Sequence, residues 1–409
     1  MTERKCEDSC ASCDEDRAFL TLRERPDYEE AGAPVSLVDL FAGCGGMSLG
    51  IAEAARRSRL GLRGALSVDF DPIATQVYQR NFPATRVETC GVEQVFDGDL
   101  GARPTSIEKD WQRKIGPVDV LIGGPPCQGH SDLNNRSRRH DPRNELYLRM
   151  ARAAEVLCPK AILIENVPAV RHARQGVVGR VEDLLKQRGY AVRGRVLDVS
   201  NLGVAQRRKR HVLLALHSEV ALDPEAVLQQ AGSGCATRDL RWAIGDLADI
   251  EPTRDFDRPS RASAENRKRM AWFFEEPGRG FELPDAMRPP CHRDKAHTYK
   301  SVYGRLDWEK PAQTITTGFT SMGQGRYVHP HSPRTLTPHE AARIQGFPDF
   351  FDFQVDGSAK RTGWSKLIGN AVPPQLSMLV MLPVLQRLAE KSRTVPLLPS
   401  VRRQPQHAP

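Results

Sequence analysis

The chain has 409 residues, 39% hydrophobic and 27% charged, enough to bury a self-sufficient core without disulfide staples. No apolar run approaches the roughly 18 residues of a membrane span. The opening MTERKCEDSCASCDEDRAF places acids where a secretory leader has a basic and then an apolar stretch, so a cytoplasmic protein is expected. Nine cysteines without the dense spacing of a small disulfide scaffold point to reduced thiols. The net charge of +8 is unevenly spread: residues 1–30 carry ten acids and five bases, and residues 391–409 four bases and no acid. The body between them is therefore basic, which suits a polyanion such as nucleic acid, although ordinary surface charge gives the same sum.

Residues 1–34 lack apolar periodicity and are expected to form an acidic, loosely ordered tail. From Val35, short β-rich runs alternate with helical stretches. SLVDLF, ALSVDF, VDVLIGG, AILIEN, RGRVLDV and HVLLAL read as buried strands. Helices are expected near Met47–Arg59, Pro72–Asn81, Arg143–Leu157 and Val178–Arg188. Such alternation over 35–216 implies an α/β domain with a mostly parallel sheet covered on both faces, where ligands sit beyond the carboxyl ends of the strands. Past Leu216 the alternation stops, and 217–333 is rich in Arg, Pro and Gly, with the aromatic run Trp272, Phe273, Phe274; a second, smaller and irregular unit is expected there. TLTPHEAARIQGFPDFF restores order, Thr337 and Glu340 fitting a capping box and Pro338 the first helical position. A last helix follows Pro374, with a kink expected at Pro383, and 334–390 completes the first domain. The tail 391–409 is basic and contains prolines, and no structure is expected for it. No internal repeat is present.

Four constellations carry chemistry. In DLFAGCGGMSLG (39–50) a strand runs into a glycine turn, where Gly43, Gly45 and Gly46 allow a sharp bend and close approach of a ligand. The dinucleotide fingerprint fails at Ser48, which leaves another adenosine cofactor, with Asp69 at the next strand end placed to accept from ribose hydroxyls; a tight structural turn is the plainer alternative. In VDVLIGGPPCQGHS (118–131), Cys127 lies just past a strand end, followed by a loop bearing Arg136, Arg138, Arg139 and Arg143. A cysteine after a strand is ordinarily a small packed residue, but this one sits at the ligand-binding edge. In AILIENVPAV, Glu165 and Asn166 face the same crevice, the acid suited to meet a substrate nitrogen or else to cap the next segment. In VAQRRKRHVLLA, Gln206, Arg208 and Arg210 alternate and share a face if extended.

These blocks, in this order, resemble the C5-cytosine DNA methyltransferase family, as do Arg334–Asp349 and WSKLIGNAVPP near the carboxyl end. The similarity spans about Val35–Leu385. The resemblance implies a Rossmann-like methyltransferase domain using S-adenosylmethionine, with no metal, and a target-recognition domain at 217–333. It implies Cys127 as the nucleophile that adds to C6 of an extruded cytosine, Glu165 at N3, and Arg210 with Arg208 at O2 or a nearby phosphate. Phe41, Gly43, Gly46, Asp69, Pro126, Leu146 and Asn370 would line the cofactor pocket. Double-stranded DNA is the implied partner, a cognate restriction endonuclease the implied companion of a prokaryotic modification enzyme, and a monomer the acting unit. This chain departs from the family pattern at His130 and Leu367, and at Gly91, where an Asp usually meets the adenine; Glu93 is the nearby alternative.

Three other readings compete. Cys6, Cys10 and Cys13 have the spacing of an iron–sulfur or zinc site, but they lie in the acidic tail before any strand. A tRNA cytosine methyltransferase shares the chemistry, yet that branch usually has a shorter recognition region and PPCQPFT where this chain has PPCQGHS. A catalytically dead DNA-binding relative is disfavoured by the intact Cys127, Glu165 and Arg210.

Overall fold

The computed structural model describes residues 11–29, 32–126, 145–172, 176–233, 236–275, 280–293, 302–355 and 360–394. Within them a seven-stranded sheet forms the centre, in the order β3-β2-β1-β4-β5-β8-β6. Its strands are β1 (Pro34–Leu40), β2 (Gly61–Asp69), β3 (Val87–Thr89), β4 (Val120–Gly123), β5 (Ala161–Asn166), β6 (Tyr190–Asp198) and β8 (Lys209–His217); β7 (Gln206–Arg207) pairs instead with β9 (Ala312–Gln313). The pairs from β3 through β5 are parallel, whereas β8 runs antiparallel to both β5 and β6. The reason lies in the connection: β6 reaches β8 through the short segment 199–208, too short for the helical crossover that parallel neighbours need.

Every central strand is apolar on both faces. In β1, Val35 and Leu37 enter one core while Val38 and Leu40 enter the other, and β4, β5 and β8 alternate in the same way. The first face is covered by α2 (Gly46–Arg57), α3 (Pro72–Asn81), α7 (Pro224–Ser233) and α12 (Pro374–Thr394), the second by α4 (Ser106–Ile115), α5 (Glu145–Leu157) and α6 (Val177–Gln187). Asp71 caps α3, with Pro72 in its first turn, and Thr105 with Glu108 closes a capping box on α4, a helix the sequence reading passed over. Between α7 and α12 lie α8 (Leu240–Ile244), α9 (Ala264–Trp272), α10 (Pro338–Ile344) and α11 (Lys360–Asn370). The long α12 continues through Pro383 to Thr394; it ends later than the expected domain boundary at 390, and the rest of the basic tail, 395–409, lies outside the described residues.

Two expected boundaries are corrected by packing. The acidic tail was expected to be loose up to residue 34, yet 11–29 is ordered against the body. Its helix α1 (Ala11–Leu20) ends in Leu20, which is buried with Tyr28. Asp16 pairs with Arg57 and Arg238, and Arg17 with Asp246. The carbonyls of Leu20 and Leu22 accept from Asp349 and Phe350. Asp16, one of the acids that made this stretch look disordered, is thus matched by two arginines far away in sequence. Similarly, 217–333 is not one separate unit. Val227, Leu228, Leu240, Ile244, Ile315 and Phe319 belong to the main core, and a smaller core of Met270, Phe273, Leu283, Val302, Tyr303, Met322 and Val328 stands apart.

Candidate active site

Four neighbouring parallel strands, β2, β1, β4 and β5, end on the same edge of the sheet, and each delivers one of the motifs there. At the end of β1, Phe41 adopts φ 57 and Gly43 φ 56, so the chain reverses at once into α2. A left-handed conformation is costly for a phenylalanine, and strain of this kind is retained where the surroundings dictate it, commonly at sites. Gly43 donates its N–H to Asp69 Oδ2 at 2.8 Å, and the other Asp69 oxygen accepts from Asp71 N at 2.9 Å. Asp69 therefore holds the glycine turn against β2. Burial pushes its carboxyl up from the ordinary value, against the lowering effect of those two N–H groups.

The glycines of the turn divide by what surrounds them. A side chain at Gly43 would meet nothing within 4 Å, whereas one at Gly46 would run into the Val372 carbonyl and one at Gly45 would lie 2.8 Å from the Phe82 ring. Gly43 thus opens onto free space suited to a ligand. Gly46 makes room for the segment leading into α12. Cys44 is no rival nucleophile: it is buried, and burial pushes its thiol up to about 12.

Beyond β2 stands a residue the sequence reading missed. Phe70, directly after Asp69, is 69% exposed, a flat apolar face beside the turn; the signal was an aromatic following a strand-end acid. Asn370, at the end of α11 (Lys360–Asn370), is exposed, and α11 is tied to the loop after β2 by Lys366 and Asp71 at 2.7 Å. Leu146 lies half-buried in the first turn of α5, and Pro126 half-buried past β4. The Glu93 carboxyl lies folded back over Gly91. The open space at Gly43, the exposed ring of Phe70 and the carboxylate of Asp69 fit an adenosine-bearing cofactor.

On the other side of β1, Glu165 and Arg210 meet. Glu165 ends β5 with its Oε1 2.6 Å from Arg210 Nε, both side chains largely buried. The antiparallel run of β8 makes this pair possible: Asn166 faces His211 in register, so Arg210, near the beginning of β8, arrives where β5 ends. A methyl group on Gly124 would lie 3.4 Å from Glu165 Oε2, and Asn166 Nδ2 donates to the Pro125 carbonyl at 3.1 Å. The Gly124–Pro126 segment is thereby fixed beside the carboxylate. Cys127, the next residue, lies outside the described residues, as do His130, the arginines at 136, 138, 139 and 143, and Cys6 and Cys10; Cys13 falls within α1. No group of three or more potential metal ligands occurs among the described residues, and no single helix among them is long and apolar enough to cross a membrane.

Gln206 and Arg208 do not join this pair. Arg208 is 4% exposed and donates to the carbonyls of Ile315 at 2.9 Å and Gly369 at 3.3 Å. Gln206 is bonded to Gln345 and to the N–H of Ile315. The three do not share a face because the strand breaks between β7 and β8. The expected contact of Arg208 with substrate is therefore corrected to a structural one that fastens the 312–316 segment and the end of α11 to the sheet.

Comparison with known proteins agrees with this geometry. The family model for C-5 cytosine-specific DNA methylase matches residues 35–382. A Type II methyltransferase, M1.BsuMI of Bacillus subtilis, is 42% identical over 90% of this chain and 84% of its own length. The Type II methylase M.HgiDII of Herpetosiphon aurantiacus is 30% identical over 84% and 93%. Among solved structures, a prophage-encoded DNA modification methyltransferase from E. coli superposes with a TM-score of 0.62 at 24% identity, covering 88% of this chain and 99% of that one. The Dnmt2 methyltransferase of S. pombe gives 0.58 at 18%, over 86% and 98%; at these identities both show the fold. With a family match over most of its length, the chain belongs to the C-5 cytosine-specific DNA methylase family.

Proposed function

We propose that this chain methylates C5 of cytosine in double-stranded DNA with Cys127 as nucleophile, and with Glu165 and Arg210 as the groups that balance charge on the base. The observation that carries the proposal is the 2.6 Å Arg210–Glu165 pair beside the pinned segment that leads into Cys127. The target carbon lies within the base stack, so the cytosine must leave the duplex, at roughly a few kcal/mol. Cys127 thiolate adds to C6, which makes the otherwise inert C5 electron-rich. Glu165 bonds and protonates N3 as charge builds on the ring, and Arg210 holds Glu165 in place and faces O2. Once C5 carries the transferred methyl group it gives its proton to solvent, the C6–S bond breaks to release the Cys127 thiolate, and N3 returns its proton to Glu165. S-adenosylmethionine, when bound, supplies the electrophilic methyl group. Asp69, Phe41, Phe70, Gly43, Pro126, Leu146 and Asn370 are the residues that would hold it, Phe70 offering its face to the adenine.

The Type II names of the relatives support a bacterial modification enzyme; we read it as a monomer acting in the cytoplasm alongside an endonuclease of the same specificity. The full chain incubated with a duplex carrying 5-fluorocytosine at its target, found by bisulfite sequencing of DNA from expressing cells, should form a covalent adduct that Cys127→Ser abolishes. Substantial methylation by Cys127→Ser, or turnover of tRNA in preference to duplex DNA, would overturn the reading.

A further inference from the structure

We propose that the buried carboxyl of Asp39 discriminates between the cationic methyl donor and its uncharged thioether product by giving up a proton to solvent when the donor binds. The inference rests on the donor-site reading above. Asp39 sits in β1, two residues before Phe41, is 1% exposed, and plays no part in the reaction described. Its Oδ2 accepts from Ser48 Oγ at 2.6 Å, and that hydroxyl lies 2.7 Å from Tyr78 Oη. Ser48 belongs to the first turn of α2, so this string of polar groups runs directly beneath the glycine turn, anchored at Tyr78 of α3.

The groups facing Asp39 are Ser48 from α2, Tyr78 from α3, the thiol of Cys44 from the turn and Asp69 from β2; Ile122 of β4 lies beside it in register. Burial, reinforced by Asp69 and opposed by the Ser48 hydrogen bond, pushes the carboxyl up to about 8. In the free protein near neutral pH it is mostly protonated. A sulfonium ion brought to the turn above would favour the carboxylate, and the proton would leave to buffer. The thioether product, with no charge on sulfur, would leave Asp39 protonated. The sign follows by linkage: the donor complex holds fewer protons than the free protein, so donor affinity rises with pH while product affinity lacks that component.

Calorimetric titration of the full chain with S-adenosylmethionine and with S-adenosylhomocysteine, at pH 6.5, 7.5 and 8.5 in buffers of different ionisation heat, tests this. For the parent protein the ratio of donor to product affinity should rise about three- to tenfold across the range, and the donor should release more protons than the product. In Asp39→Asn, which keeps an oxygen to accept from Ser48, the ratio should be flat and the excess release should vanish while both ligands still bind. A parent ratio that does not change with pH, or a variant that keeps the dependence, overturns the inference and leaves the donor site intact. Failure of both ligands to bind at any pH overturns the donor-site reading itself. If Asp39→Asn does not fold by circular dichroism, the proton count of the parent decides alone.

Discussion

At the scale of single residues, neighbouring positions in one motif have unlike duties, and substitution can separate them. An alanine at Gly43 has free space but must adopt φ 56, which costs roughly 1–2 kcal/mol; its methyl would project where the donor is read to lie. Gly43→Ala should therefore weaken S-adenosylmethionine binding at least about tenfold, an affinity loss of roughly 1.4 kcal/mol, in addition to lowering stability by that backbone cost. Gly46→Ala would push the segment at Val372, destabilising the fold by about 1–3 kcal/mol in urea unfolding. Arg208 and Arg210 divide in the same way. Arg210→Ala should reduce methylation by about a hundredfold or more with the fold retained, because it removes the Glu165 partner. Arg208→Ala should cost about 2–3 kcal/mol of stability, since two buried carbonyls lose their donor. The sequence placed Glu165, Asp69 and Gly43 at strand ends because a strand end followed by a turn is a local pattern. It misjudged Arg208 because its partners, Ile315 and Gly369, lie more than a hundred residues away.

At the scale of elements, what could be read was what is encoded locally. The expected helix at 72–81 and strand at 161–166 coincide with α3 and β5. The Thr337–Glu340 capping box is present, with Glu340 also accepting from Arg334 at 2.6 Å. Thr337→Ala should lower stability by about 1–2 kcal/mol, measured by thermal or urea unfolding. The equivalent box at Thr105 and Glu108 was passed over because α4 is strongly polar, with few apolar residues to mark a period. Helix α1 was illegible for a related reason: its residues satisfy ion pairs and backbone bonds to Arg57, Arg238 and Asp349, not an apolar stripe of its own. Its segment nonetheless supports the body. Tyr28 is 1% exposed in the main core, and its carbonyl accepts from Leu62 N. Tyr28→Ala should cost about 3–5 kcal/mol, a value near zero being the expectation for a disordered tail. The antiparallel turn of β8 was equally hidden, since nothing in HVLLAL encodes direction, and it is this reversal that brings Arg210 to Glu165.

At the scale of the whole molecule, the buried titratable groups set how stability varies with pH, and they act in opposite senses. His211 and His329 are buried on different elements, and burial, with Arg171 acting on the first and Arg334 and His331 on the second, pulls each down to about 4. The folded chain keeps them neutral while the unfolded chain takes up protons near 6.5, so stability falls as pH drops from 6.5 toward 4, by up to about 3 kcal/mol for each. Asp39 works the other way. Its folded carboxyl holds a proton up to about 8, whereas the unfolded one releases it near 4; stability falls as pH rises between those values and levels off above 8. The parent chain should therefore be most stable between the two losses and decline on either side. Asp39→Asn removes the alkaline branch and leaves the histidine branch untouched. In urea unfolding at pH 5, 6.5 and 8, both proteins should weaken from 6.5 to 5, but only the parent should weaken from 6.5 to 8. Equal slopes for the two proteins on the alkaline side would mean that Asp39 is ionised in the resting fold, and the protonated carboxyl beneath the glycine turn would then have to be abandoned.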